Sequence, residues 1–226
     1  MSDTVANQPL QVTLAVGDSL VTLQARSTLD WQFQRRLRDR DLHVLSRPVA
    51  VICHPEAQAL VLPAARLLAI QSDAAHVSGF TVMPHRNFLT WQQVSSLGEQ
   101  LQALLGKAGW ESAPGTAMPV AELGLYLGSP TTPERFKATV GRWQNAQGDQ
   151  LRLELGRRFR QGSQFAGRVI PTDLHVLSVE VSNPQWFEEL MKRVEAAREA
   201  DGAAPGRVRD IVLDRYLENL AGAEPA

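Results

Sequence analysis

HVSGFTVMPHRNFLTWQQVSSLGEQLQALLGKAGW, running from His76 to Trp110, holds the reading on which the fold turns. Val77–Met83 is an apolar-rich run of strand length, and Pro84 breaks it. Thr90 is then a good N-cap, with Gln93 three residues on to close a capping box. Trp91, Val94, Leu97, Leu101, Leu104 and Leu105 recur at helical spacing and form one apolar stripe. Gly106, Lys107 and Gly109 are residues that end helices. Trp110 follows and is expected to fold back on the core. A strand, a turn and a capped amphipathic helix in one block make the chain α+β: one or more antiparallel sheets with three to four amphipathic helices packed on one face.

The same signals are weaker on either side. Gln11–Val16 and Leu20–Gln24 flank Gly17-Asp18 and read as a hairpin. Ser27–His43 reads as a helix, from Leu29, Phe33 and Leu37 four apart, although Leu29, Trp31 and Phe33 also alternate as on a strand. Val49–Cys53 and Ala59–Leu62 around His54-Pro55-Glu56 predict a second hairpin, with further strands at Arg66–Ile70 and Val77–Met83. Downstream, Val120–Leu127 reads as a strand. Thr132-Pro133-Glu134 reads as the start of a helix with Phe136, Val140 and Trp143 on its apolar face. Leu151–Leu155 and Leu174–Val181 read as strands, and Asn183-Pro184 as the cap of a third helix. A last helix is expected over Val208–Leu220. Glu111–Met118 is the best linker, so the chain divides into an α+β half over residues 1–112 and another over 117–226; one co-folded unit is the alternative. His76-Val77 and His175-Val176 each open a strand, then a proline, then a helix, a weak internal echo.

Composition bounds the function. The 226 residues are 44% hydrophobic and 21% charged, with a formal net charge of -1. This is enough apolar material for a core without staples, and no global field draws the chain to nucleic acid or an anionic membrane. Lys107, Lys137 and Lys192 are the only lysines among 23 basic residues. The arginine bias fits a GC-rich coding sequence, and secondarily recognition of carboxylate or phosphate. Cys53 is the single cysteine, so no internal disulfide forms. The opening MSDTVANQPLQ has neither the basic nor the apolar region of an export signal. A cytoplasmic location is expected for the chain as it stands, a periplasmic one if a leader has been removed. No uncharged apolar run approaches the roughly 18 residues of a membrane-spanning helix.

No phosphate-binding glycine loop, dinucleotide fingerprint, nucleophile elbow or H-E-x-x-H motif is present. Cys53 and His54 are neighbours, but adjacent strand residues point to opposite faces, so Cys53 reads as a small buried hydrophobe. The five histidines show no metal-ligand spacing, and neither a cofactor nor a metal is expected. His85 and Arg86 sit before the N-terminus of the Thr90 helix, where anions are favoured. Arg152, Arg157, Arg158, Arg160 and Arg168 form a second, poorly compensated cluster. His85, Arg86, Arg157, Arg158 and Arg160 are therefore the candidate binding residues. The cluster reads first as a solvated charged face and next as a site for an acidic protein partner; nucleic acid comes last, disfavoured by a pI of about 6.5 and only Phe159 and Phe165 nearby. Oligomeric state is not legible.

The block from His76 to Trp110 resembles a segment of uncharacterised proteobacterial soluble or periplasmic proteins, a style shared by some secretion-accessory and immunity proteins. The likeness covers a short part of the chain and implies no catalytic residue. The expected function is a non-enzymatic interaction protein, of the immunity or secretion-accessory type. A hydrolase or transferase with a site outside the known motifs, and a structural subunit of an envelope assembly, are the alternatives.

Overall fold

The structure is a computed structural model that describes residues 10–28, 41–53, 59–73, 76–85, 87–113, 118–128, 133 and 135–200. In chain order the elements are β1 (Gln11–Leu14), α1 (Leu20–Arg26), β2 (Asp41–Cys53), β3 (Leu60–Asp73), β4 (His76–Met83), α2 (Trp91–Lys107), β5 (Glu111–Ser112) and α3 (Val120–Gly128). They continue with β6 (Phe136–Gln144), β7 (Gln150–Phe159), β8 (Gln164–Phe165), β9 (Arg168–Val169), β10 (Leu174–Ser182) and α4 (Pro184–Ala200). Eight strands form one sheet in the order β1-β2-β3-β4-β10-β7-β6-β5; β8 and β9 form a separate hairpin. The expected α+β class, antiparallel sheet with amphipathic helices, is what the chain adopts.

Strands from the two parts of the chain meet in the middle of the sheet. β2-β3-β4 and β6-β7-β10 are each antiparallel, and β4 pairs with β10, Val82 opposite Val179 and Phe80 opposite Val181. The echo between His76 and His175 thus falls on the two central strands, each followed by a helix. Leu151, Leu153, Leu155, Leu177, Val179, Val181, Phe80 and Val82 face one side and are buried. α2 and α3 lie on that side: Trp91 meets the His175 ring, Gln102 donates to the Val140 carbonyl, and Gly124 packs 2.7 Å under the Trp91 indole as measured from an ideal Cβ. The opposite side carries Arg142, Gln144, Gln150, Arg152, Glu154, Glu180 and Ser182, the other phase of the same two-residue period.

The decisive block folds as its residues dictate. The Thr90 hydroxyl accepts the Gln93 N–H, and the Gln93 side chain accepts the Thr90 N–H, a complete capping box. Val94, Leu101 and Leu105 are buried along α2, and Trp110 is packed into the core after Gly109 turns the chain at φ 74.

Four expectations are corrected. Gln11–Gln24 is not a hairpin: β1 pairs in parallel with β2, and Leu20–Arg26 is helical. Ser19 caps it by accepting the Thr22 N–H, and Leu20 and Leu23, three apart, are its buried pair. Val120–Leu127 is a helix, not a strand. Leu123, Leu125 and Leu127 alternate, which mimics a strand. Here Leu123 and Leu127 are buried four apart while Leu125 stands 82% exposed. Phe136, Val140 and Trp143 lie on a strand, not a helix. A bulge between Thr139 and Gly141 adds one residue and shifts the phase, so Val140 and Trp143 both reach the core despite being three apart. The Trp143 ring occupies the space a side chain at Gly141 would need. The helix expected over Ser27–His43 fails at both ends, where Ser27 caps α1 and Asp41–His43 begin β2; residues 29–40 lie outside the described residues. So do His54-Pro55-Glu56 and the helix expected over Val208–Leu220.

Candidate functional site

The candidate residues fall at one end of the sheet, where β7 ends and β10 begins. Arg157 is only 2% exposed. Its Nη1 donates to the Leu127 carbonyl at 2.8 Å and to Asp173 Oδ2 at 3.1 Å, and its Nη2 donates to the Pro133 carbonyl at 2.6 Å. One guanidinium thereby ties the C-terminus of α3 and Pro133, shortly before β6, to the loop before β10. A planar fork with five donors suits this task better than a lysine. Arg157 is thus committed to internal partners and offers no free surface.

Asp173 completes the arrangement by accepting the Gln161 N–H at 2.7 Å. Partial burial alone would push its carboxyl up. The Gln161 N–H and Arg157, with the field of His175, outweigh burial and hold it below its usual range. His175 is Arg157's cross-strand neighbour. Its backbone exchanges two hydrogen bonds with Leu89, and its ring meets Trp91 edge to face at 5.6 Å. Burial pushes the imidazole pKa down, with Arg157 adding to the effect against Asp173 and the Leu89 backbone. Nδ1 of His175 is buried without a hydrogen-bond partner. The three side chains convert loop ends into fixed structure.

His85 has a comparable positioning role. Its Nδ1–H donates to the Asn87 carbonyl at 2.8 Å, which leaves Nε2 to accept the Leu177 N–H at 2.9 Å. The ring fastens the β4–α2 connection to β10. Arg86 lies outside the described residues.

Arg158 is exposed and Arg160 half-buried, and they lead into the β8–β9 hairpin. Gln161, Gly162, Gln164 and Phe165 through Val169 are exposed. The tip, Ala166-Gly167, has φ values of 48 and 75, as a two-residue type I′ turn requires. Phe165 faces directly across from Arg168, so an aromatic ring and a guanidinium share one face of the hairpin. Phe165 packs on Phe159 with tilted rings at 4.6 Å, and Phe88 meets Phe159 edge to face at 5.1 Å. Phe165, Phe88 and Val169 remain 49%, 38% and 65% exposed. Sequence reading picked out the arginines here and two of the phenylalanines. It missed Phe88, whose ring meets Phe159 and Phe165 only across a long sequence separation.

A second arrangement lies on the polar side of the sheet. Arg142 and Arg152 are register partners on β6 and β7, and Gln144 and Gln150 are partners on the next rung, with Ser182 beside Gln150 on β10. These residues and Ala113 line a cavity of about 300 Å³. Arg152 donates to Glu180 at 2.9 Å and lies 3.7 Å from Glu154, which also pairs with Lys137. The Arg142 side chain is exposed and makes no hydrogen bond or ion pair with any described residue.

Other candidates carry no chemistry. Burial, with the field of Asp149, pushes the Cys53 thiol far up, so it stays protonated and inert. Among the described residues no group of three histidines, cysteines or acids is placed to hold a metal, and no helix is long and apolar enough to cross a membrane. Compared with known proteins, the chain matches no family model, no curated protein and no solved structure.

Proposed function

We propose that this chain is a non-enzymatic binding protein that holds an acidic, partly apolar segment of a protein partner against the β8–β9 hairpin. The observation that carries the reading is the surface of exposed Phe165 and Phe88, whose rings meet at 6.4 Å, with Arg168 directly opposite Phe165. Aromatic rings and arginine are the residues that dominate binding energy at protein interfaces. Arg158 and Arg168 have no counter-ion among the described residues, so acidic side chains would meet uncompensated charge. The hairpin is pre-shaped by its turn and pinned through Phe165 to Phe159, which lowers the ordering cost of binding. An immunity or secretion-accessory role is the finer form of this reading, since both consist of occupying a partner.

The test is co-purification from the native host with wild type and with the double variant Phe165→Ser, Arg168→Glu. A stoichiometric acidic partner retained by wild type and lost by the variant, at unchanged melting temperature, supports the reading. Phe165→Ala alone should weaken that complex about 30-fold, a loss of about 2 kcal/mol. Retention by both proteins places binding elsewhere and overturns it.

A further inference from the structure

We infer that the cavity over β6 and β7 is a separate binding site, for a small monocarboxylate that carries a neutral hydrogen-bond donor at its other end. Arg142 and Arg152 are directly opposite on adjacent strands and on the same face. Like charges in that position are destabilising unless something compensates them. Arg152 is compensated by Glu180 and Glu154. Arg142 is not compensated by any described residue, and it lines a cavity of about 300 Å³, at the small end of ligand pockets. An anion seated between the two guanidiniums removes the repulsion, and guanidinium forks match a carboxylate in two-point geometry.

The neighbouring rung reads the rest of the ligand. Gln144 and Gln150 stand two residues along their strands from Arg142 and Arg152, and Ser182 two from Glu180, on the same face. That spacing is about 6.7 Å. They present amide and hydroxyl groups, which take neutral donors and acceptors. Glu111 is the cross-strand partner of Gln144 and adds a carboxylate at that margin. The charges around the cavity therefore set an orientation. A carboxylate is attracted to the Arg142 end. A second negative charge is repelled at the far end by Glu111, and a dianion such as phosphate also meets Glu180 and Glu154 beside Arg152. Trp143 and Leu151 turn their side chains to the helix-covered face and contribute the floor between the rungs. The ligand class is a chain of three or four carbons with a carboxylate at one end and an amide or hydroxyl at the other.

Isothermal titration calorimetry on the full chain tests this with glutaramate and 4-hydroxybutyrate as probes, and with glutarate, butyrate and inorganic phosphate as comparisons. The expected result is a dissociation constant below about 1 mM for at least one probe, and binding at least tenfold weaker for every comparison ion. Arg142→Gln should reduce probe affinity at least tenfold, and Arg142→Glu should abolish it. Arg142 is exposed and pairs with no described residue, so both variants should fold; an unchanged circular-dichroism melt verifies that. Amide shifts in a ¹⁵N spectrum should move at Ala113, Gln144 and Ser182. Absence of binding by both probes, tighter binding of phosphate or glutarate, or affinity indifferent to Arg142→Gln overturns the inference. These readouts do not involve the β8–β9 hairpin, so they succeed or fail independently of the proposed partner site.

Discussion

Arg157 shows how much one side chain can decide. A buried guanidinium is costly without partners, and this one has two carbonyls and a carboxylate. Arg157→Met keeps the volume but leaves the Leu127 and Pro133 carbonyls without this donor. The expected loss is about 2–4 kcal/mol in urea unfolding, and Arg157→Lys should recover only part of it. His175 makes the opposite case, a buried ring with an unpartnered nitrogen. Its pKa in the fold lies below the ordinary 6.5, so below that pH the unfolded chain binds a proton the folded chain refuses. Its contribution is complete above pH 6.5 and is lost as pH falls through the folded pKa. Asp173 behaves likewise in a lower window: its stabilisation is complete above 3.8 and is lost as pH falls below that value. His175→Phe keeps the ring against Trp91 and removes both the titration and the unpartnered atom. Thermal melts of this variant should be flatter than wild type as pH falls below 6.5, with stability at neutral pH equal or higher by about 1 kcal/mol. A wild-type slope retained in the variant would assign the titration to another group. In the sequence, both residues were only members of an arginine cluster and a list of histidines; burial, which gives each its role, is a property of neighbours.

At the scale of elements, local chemistry was readable where it was complete within a few residues. Thr90 with Gln93 specifies the start of α2, and the leucines after it specify its buried side. Asn183 similarly receives the Gln185 and Trp186 N–H groups and starts α4. Reading failed where two periods fit the same residues. Leu123, Leu125 and Leu127 satisfy a strand as well as a helix, and the bulge in β6 gives a strand the spacing of a helix. The β8–β9 hairpin carries a cost of its own. Ala166 sits at φ 48, where a Cβ costs about 1–2 kcal/mol. Ala166→Gly relieves that strain but also loosens the unfolded chain, so the net expectation is a gain of about 0.5 kcal/mol or more. Slower amide exchange at Gln164 and Val169 in the variant is the measure; faster exchange would mean that the turn is not held in this conformation.

Across the molecule, the pairing of β4 with β10 makes one sheet of strands from both parts of the chain. Val82, Phe80, Val179 and Val181 are buried at that seam. The expected consequence is a single cooperative unfolding transition, with far-ultraviolet circular dichroism and tryptophan fluorescence coinciding in urea; two separated midpoints would show that the parts unfold independently. The sequence alone determined the α+β class, the capped helix after β4, the absence of an internal disulfide and the inert burial of Cys53, because each depends on composition or on residues a few positions apart. Only the tertiary structure decided that Arg142 would face Arg152, that Phe88 would join Phe165, and that Arg157 would turn inward. Those outcomes depend on strand register and chain reversal between distant segments, and the free energy that selects a register comes from burying whole faces together, which no short stretch of residues records.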